Sequence, residues 1–155
     1  VKRVSRPDYA LPYFNRALQI DPAHEPALEA MTSLYRDAQS WQELVQMLLH
    51  RADAASSPNR ARELRAEAAS VVHGKLGDVA TAQQMFAQIF QDDPAHPAAI
   101  KALENIYTHE QNWSALAELL ENKAKEQRGR ARVETLCELG ELCEDRLTDL
   151  RRAAE

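Results

Sequence analysis

Apolar residues recur along this chain at the spacing of a helix face rather than with the alternation of a strand. Ala10, Tyr13, Phe14, Ala17 and Leu18 follow the i, i+3, i+4, i+7, i+8 pattern of one buried helical stripe. Asp21-Pro22 ends that helix, because proline disfavours the helical conformation in the residue before it. A second stripe runs through Leu28, Met31, Leu34 and Tyr35, and a third through Trp41, Leu44, Val45, Leu48 and Ala52. Ser40, with Glu43 three residues on, predicts a capping box at the start of the third helix. After the turn signal Ser56-Ser57-Pro58-Asn59, a fourth helix is expected from about Arg60 to His73, closed by Gly74 or Gly77. Asp78 is placed to cap a fifth, built on Val79, Ala82, Met85, Phe86, Ile89 and Phe90. Ile100, Leu103, Ile106 and Tyr107 give a sixth stripe, and Trp113, Leu116, Leu119 and Leu120 a seventh. After Gly129, Leu136, Leu139, Leu142 and Cys143 mark an eighth, and Asp149 is expected to cap a truncated ninth. No segment carries a strand pattern.

These stripes are written twice. Asp21-Pro22-Ala23-His24 returns 72 residues later as Asp93-Pro94-Ala95-His96. At the same offset Phe14 matches Phe86, Ala27 matches Ala99, Tyr35 matches Tyr107 and Gln39 matches Gln111. Trp41, Leu44, Leu48 and Ala52 fall on Trp113, Leu116, Leu120 and Ala124. A shared period of this length points to a repeat architecture, and it lowers the odds that any single repeated residue is catalytic. Each period holds four helices, or two helical hairpins of about 34 to 38 residues.

In specific residues the hairpins resemble the tetratricopeptide repeat. Ala10, Phe14, Ala17 and Pro22 reproduce the small–aromatic–small–proline order of that motif's second helix. Ala82, Phe86 and Pro94 do so again, with Ile89 where the motif prefers alanine. Leu139-Gly140 resembles the Leu-Gly of the first helix, with Cys143 in place of the aromatic, and Gly77-Asp78 looks like the turn between the two. The alternate hairpins diverge: they keep Tyr35 and Tyr107, then turn at Ser40-Trp41 and Asn112-Trp113. The resemblance implies an all-α, right-handed helical-hairpin solenoid of about eight to nine antiparallel helices. It would be one array over residues 1–155, with hairpins at about 1–22 (partial), 23–56, 59–94, 95–128 and 130–155 (partial). The chain opens without Met and stops inside a helical pattern, as expected of a piece of a longer protein.

Composition narrows the function. The formal net charge of −5 argues against a nucleic-acid-binding domain, which usually shows a basic excess. Arg60, Arg62 and Arg65, echoed by Arg128, Arg130 and Arg132, are not interleaved with the aromatics that a nucleic-acid surface uses. No apolar run approaches the roughly 20 residues that span a bilayer. Cys137 and Cys143 lie six residues apart on one helix, neither a redox pair nor a zinc spacing, and read as small apolar residues in or near the core. His24 and His96 recur within the same turn, so the repeat accounts for both. His96 and His109 stand about 20 Å apart by helical rise, too far to share a metal. Trp41 and Trp113 sit on packing stripes and read as core. No GxSxG, HExxH or P-loop pattern is present, so no catalytic residue, cofactor or metal site is expected.

Binding remains. The resemblance implies that first helices of successive hairpins line a groove that receives a peptide or partner helix. The groove positions are Glu29, Ser33 and Arg36, then Ser70 and His73, then Lys101, Asn105, Thr108 and His109, and finally Glu141. Lys101 and Asn105 match the start of a carboxylate clamp known in the family. Glu134, Glu138 and Glu141 follow where a carboxylate would be repelled, which rejects that reading. The expected function is a protein–protein interaction scaffold with a basic or amphipathic partner. Self-association through exposed ends of the array is also compatible. The alternatives are a half-a-tetratricopeptide scaffold of RNA-processing assemblies and a spacer between domains of a larger protein.

The helical reading makes a quantitative expectation. Phe86→Ala, which leaves a cavity between helices, should cost about 3–5 kcal/mol in urea unfolding while the circular-dichroism spectrum stays helical. A loss below about 1 kcal/mol, or appreciable strand signal, would refute the packing assignment.

Overall fold

The computed structural model describes residues 7–147, and the backbone there is all-α. Eight α-helices follow one another: α1 Pro7–Ile20, α2 Glu25–Asp37, α3 Trp41–Ala54, α4 Pro58–Val71, α5 Val79–Asp92, α6 Pro97–His109, α7 Trp113–Glu126 and α8 Gly129–Leu142. Two short π-helical turns, Val72–Leu76 and Cys143–Leu147, continue α4 and α8. No strand occurs among the described residues. The chain divides into two compact units, residues 1–82 and 83–155, with the boundary after the first turn of α5. The cap expected at Asp149 lies outside the described residues.

In the first unit, α2 packs on α1 and α3, and α3 packs on α2, α4 and the first π turn. Its core is the stripe the sequence marks: Ala27, Leu28, Met31, Leu44, Leu48 and Ala52 are all buried, joined by Leu64, Ala68 and Ala69 of α4. In the second unit, α7 packs on α6, α8 and the second π turn. Ala99, Leu103, Leu116, Leu120 and Ala124 repeat the same positions, and Phe86 is buried as well. Helices of 13 or 14 residues are marginal alone in water, so this burial is what holds them.

The turns explain the repeated tetrapeptide. The Asp21 carboxylate accepts the N–H of Ala23, and the Asp93 carboxylate that of Ala95. His24 and His96 are then the N-caps of α2 and α6: each Nδ1 accepts a backbone N–H, from Ala27 and Ala99, at 3.3 Å. Pro26 and Pro97 fall in the first helical positions, where a missing N–H costs nothing. The recurring Asp-Pro-Ala-His is thus a stop-and-start signal between helices.

The turn between the first two helices of the divergent hairpins uses a left-handed residue. Gln39 and Gln111 have φ 56° and 55°. Ser40 N–H donates to Tyr35 O and Gln39 N–H to Arg36 O, while Asn112 N–H donates to Tyr107 O and Gln111 N–H to Thr108 O. Both sets are complete Schellman closures, normally built on glycine. The capping box expected at Ser40 does not form, since its side chain makes no cap hydrogen bond. Asn112, at nearly the same backbone angles, does accept the Ala115 N–H at 3.2 Å. The fourth helix closes at Gly77, whose φ of 70° lies in the left-handed region.

Some stripe residues are not covered. Tyr13 is 77% exposed, Val79 37% and Leu136 46%. Of the two cysteines expected in or near the core, Cys143 is buried but Cys137 is exposed. Periodicity identifies a face; it does not say whether another element lies on it.

Two measurements test these local constraints. Gln111→Gly removes the left-handed strain of an L-residue and should stabilise the chain by about 0.5–1 kcal/mol after the entropy glycine adds to the unfolded state. A loss of stability would mean that the glutamine side chain is needed. At the start of α5, the Asp78 carboxylate accepts the Thr81 N–H at 3.0 Å and the Thr81 hydroxyl at 2.7 Å. These bonds, the backbone one first, hold its carboxyl below the ordinary carboxylate value. Its charge therefore stabilises the fold fully above the ordinary carboxylate range, and that contribution is lost as pH falls through the lowered folded value. Asp78→Asn should be less stable than the parent at neutral pH and equal to it in strong acid, read by urea unfolding across pH.

Candidate functional site

A cleft that bears candidate residues lies in the second unit, where α6, α7, α8 and the second π turn surround a volume of about 450 Å³. Its floor is apolar, made by Leu116 and Leu120 of α7 with Leu142 of α8. These positions face inward because they continue the packing stripe of their own helices. One wall comes from α6, with Thr108 and Glu104, and the Lys123 ammonium of α7 donates to Glu104 at 2.8 Å. The opposite wall is acidic. Glu138, Glu141 and Asp145 project from α8 and its π turn, all exposed, and none has an ion-pair partner among the described residues.

Trp113 stands at the end of the cleft. The Arg146 guanidinium lies over its ring, 5.2 Å from the centroid. The first unit repeats the device: Lys75 lies over Trp41 at the same 5.2 Å. In both units the cation comes from the π turn, whose wider i→i+5 winding ends the preceding helix beside the central one. Each contact is worth about 0.5–1 kcal/mol where solvent reaches it. Both tryptophans are half-buried rather than fully in the core, which corrects the expectation for them. The sequence did carry a signal, since Lys75 and Arg146 sit at corresponding places after the two tryptophans. The π geometry that brings them over the rings had none.

Of the expected groove residues, Thr108 and Glu141 line this cleft. Lys101 and Asn105 are exposed on α6 at helical spacing from Thr108, and His109 is exposed at the end of that helix. All three lie outside the lining of the cleft. In the first unit, Glu29 and Ser33 are exposed on α2, and Arg36 is ion-paired to Glu67 of α4. The Ser70 hydroxyl donates back to Ala66 O at 2.8 Å, and His73 is exposed on the first π turn.

The charged positions beneath this face differ between the units. Arg51 is buried, bonded to Glu25 and, at 3.4 Å, to the Thr32 hydroxyl, while its Nε has no partner. The residues 72 positions on are Lys123 and Glu104, already paired above. A second concavity of about 390 Å³, on the other flank of α7, is lined by Phe90, Pro94 and Tyr107 among others. No cluster of metal-ligating side chains occurs among the described residues, and none of their helices is long and apolar enough to cross a membrane. No protein-family model and no curated protein matches this chain.

Proposed function

We propose that this chain is a tetratricopeptide-like segment that binds a peptide or helix of a partner protein and is not itself an enzyme. The observation that carries the reading is the cleft of the second unit. It joins an apolar floor, an aromatic end and a wall of carboxylates without ion-pair partners among the described residues on a helical frame. Such a combination suits an amphipathic segment: apolar side chains meet Leu116 and Leu120, and polar ones meet the rim. The repeated small, aromatic and proline positions support the family resemblance at the level of the hairpin. A frame built from repeats leaves its exposed faces free to vary, which is how such scaffolds acquire partners.

Selection from a displayed random-peptide library on the 155-residue chain tests this. A consensus should emerge, and its backbone amide-shift footprint should fall on α6 and α8 around Thr108 and Glu141. Lys101→Glu combined with Asn105→Ala, on the same face of α6, should weaken the selected peptide if that face extends the site. No consensus, or a footprint elsewhere, refutes the assignment and leaves the segment as a spacer.

A further inference from the structure

The two units, compared position by position, say what kind of side chain the cleft accepts. Glu67 on α4 and Glu138 on α8 occupy the same helical position, 71 residues apart. In the first unit Glu67 is occupied: the Arg36 guanidinium of α2 lies on its carboxylate. The residue equivalent to Arg36 in the second unit is Thr108, which is too short and uncharged to do this. Glu138 therefore stands without the guanidinium that its counterpart holds. The same face gains further negative charge, because Ser70 is replaced by Glu141 and Gly74 by Asp145.

From this geometry we infer that the cleft of the second unit binds an arginine side chain of a basic partner peptide, seated on Glu138 where the first unit seats its own Arg36. The inference rests on the reading of the chain as a protein-binding segment and names the chemistry of its partner. Arg36 on Glu67 demonstrates that a guanidinium can reach a carboxylate at this place on the frame. An arginine suits it better than a lysine, because its planar fork bonds a carboxylate through two N–H groups. Glu141 lies one turn further along α8 and adds attraction that is strongest at low salt. Arg146 already covers the Trp113 ring, so the indole reports on the cleft without being the seat of the entering cation. Leu116 and Leu120 receive the apolar residues beside the arginine.

The probe is a capped heptapeptide with one central arginine flanked by leucines, titrated into the 155-residue chain while the two indole N–H resonances are followed. Binding should shift the Trp113 signal saturably and leave that of Trp41 in place. Replacing the arginine by citrulline, which keeps the shape and removes the charge, should weaken binding at least about tenfold, roughly the effect of 1.4 kcal/mol. Glu138→Gln with Glu141→Gln should weaken it similarly. Thr108→Arg should occupy Glu138 from within, as Arg36 occupies Glu67 in the first unit, and Arg36→Thr should make the Trp41 signal responsive. Thermal melts establish that each variant is folded; if Thr108→Arg is not, the double glutamine variant decides. Equal binding of the citrulline peptide, equal shifts of both indoles, or an unchanged affinity in the glutamine variant overturns the inference. Should library-selected peptides occupy the cleft while the arginine probe does not, the charge assignment fails and the binding module stands. If peptides of no composition bind, both fail.

Discussion

Everything in each unit depends on one helix being pressed from both sides. In the first unit that helix is α3, and in the second α7. Leu44, Leu48 and Ala52 on the one, and Leu116, Leu120 and Ala124 on the other, are withdrawn from solvent at the same three places. A buried leucine contributes about 1.5–3 kcal/mol, more than the propensity of any residue in these helices. The neighbours α2 and α4, or α6 and α8, are too short to persist alone and are helical because the central helix offers them surface. The remaining devices serve that contact. The left-handed glutamines reverse the chain tightly enough for helices to lie side by side, and the histidine caps fix where each helix starts. The π turns bring a cation back to the tryptophan at the start of the central helix.

That dependence explains which parts of the molecule were legible in the sequence. The packing positions were, because apolar burial must follow helical period and the chain states the period twice. Leu28, Met31, Leu44 and Leu48 could be assigned from spacing alone, and their counterparts by addition. Coverage was not legible. Tyr13 and Leu136 lie on stripes as regular as the others, yet they are exposed. Turn chemistry was legible in part. Gly77 and Asp78 act as their types require, but Ser40 makes no cap bond where Asn112 does, although both are usual capping residues. Imidazole as an N-cap acceptor lies outside the usual capping residues, so His24 and His96 read only as turn residues. Of the residues that line the cleft, Thr108 and Glu141 were expected by position. Arg146 was not, because π winding changes which residues share a face.

The partly buried charges follow the same logic. Arg51 lies within the first unit beside Thr32 and reaches Glu25 at the surface; in the second unit the places of Arg51, Thr32 and Glu25 hold Lys123, Glu104 and Pro97, and Lys123 pairs with Glu104. The carboxylate has moved from the place of Glu25 to that of Thr32, and a cation remains matched to a carboxylate in each case. A buried charge without its partner is costly, so substitution at one position constrains the other. Here divergence between the copies has been held in check by the fold.

No such restraint acts on the outer face. Arg36 and Thr108, Ser70 and Glu141, Gly74 and Asp145 are all solvent-exposed, and none of these exchanges alters a buried contact. Packing is indifferent to them, yet they act in one direction: they remove a guanidinium and add two carboxylates around a cleft. Like charges at i, i+3 and i, i+4 on a helix are mildly destabilising, so Glu138, Glu141 and Asp145 together work against the stability of α8 and its π turn. A feature that repeats because the fold needs it would have stayed as it is in the first unit. One that departs from its own copy, against local stability and on the face of a cleft, is not accounted for by the packing of the fold.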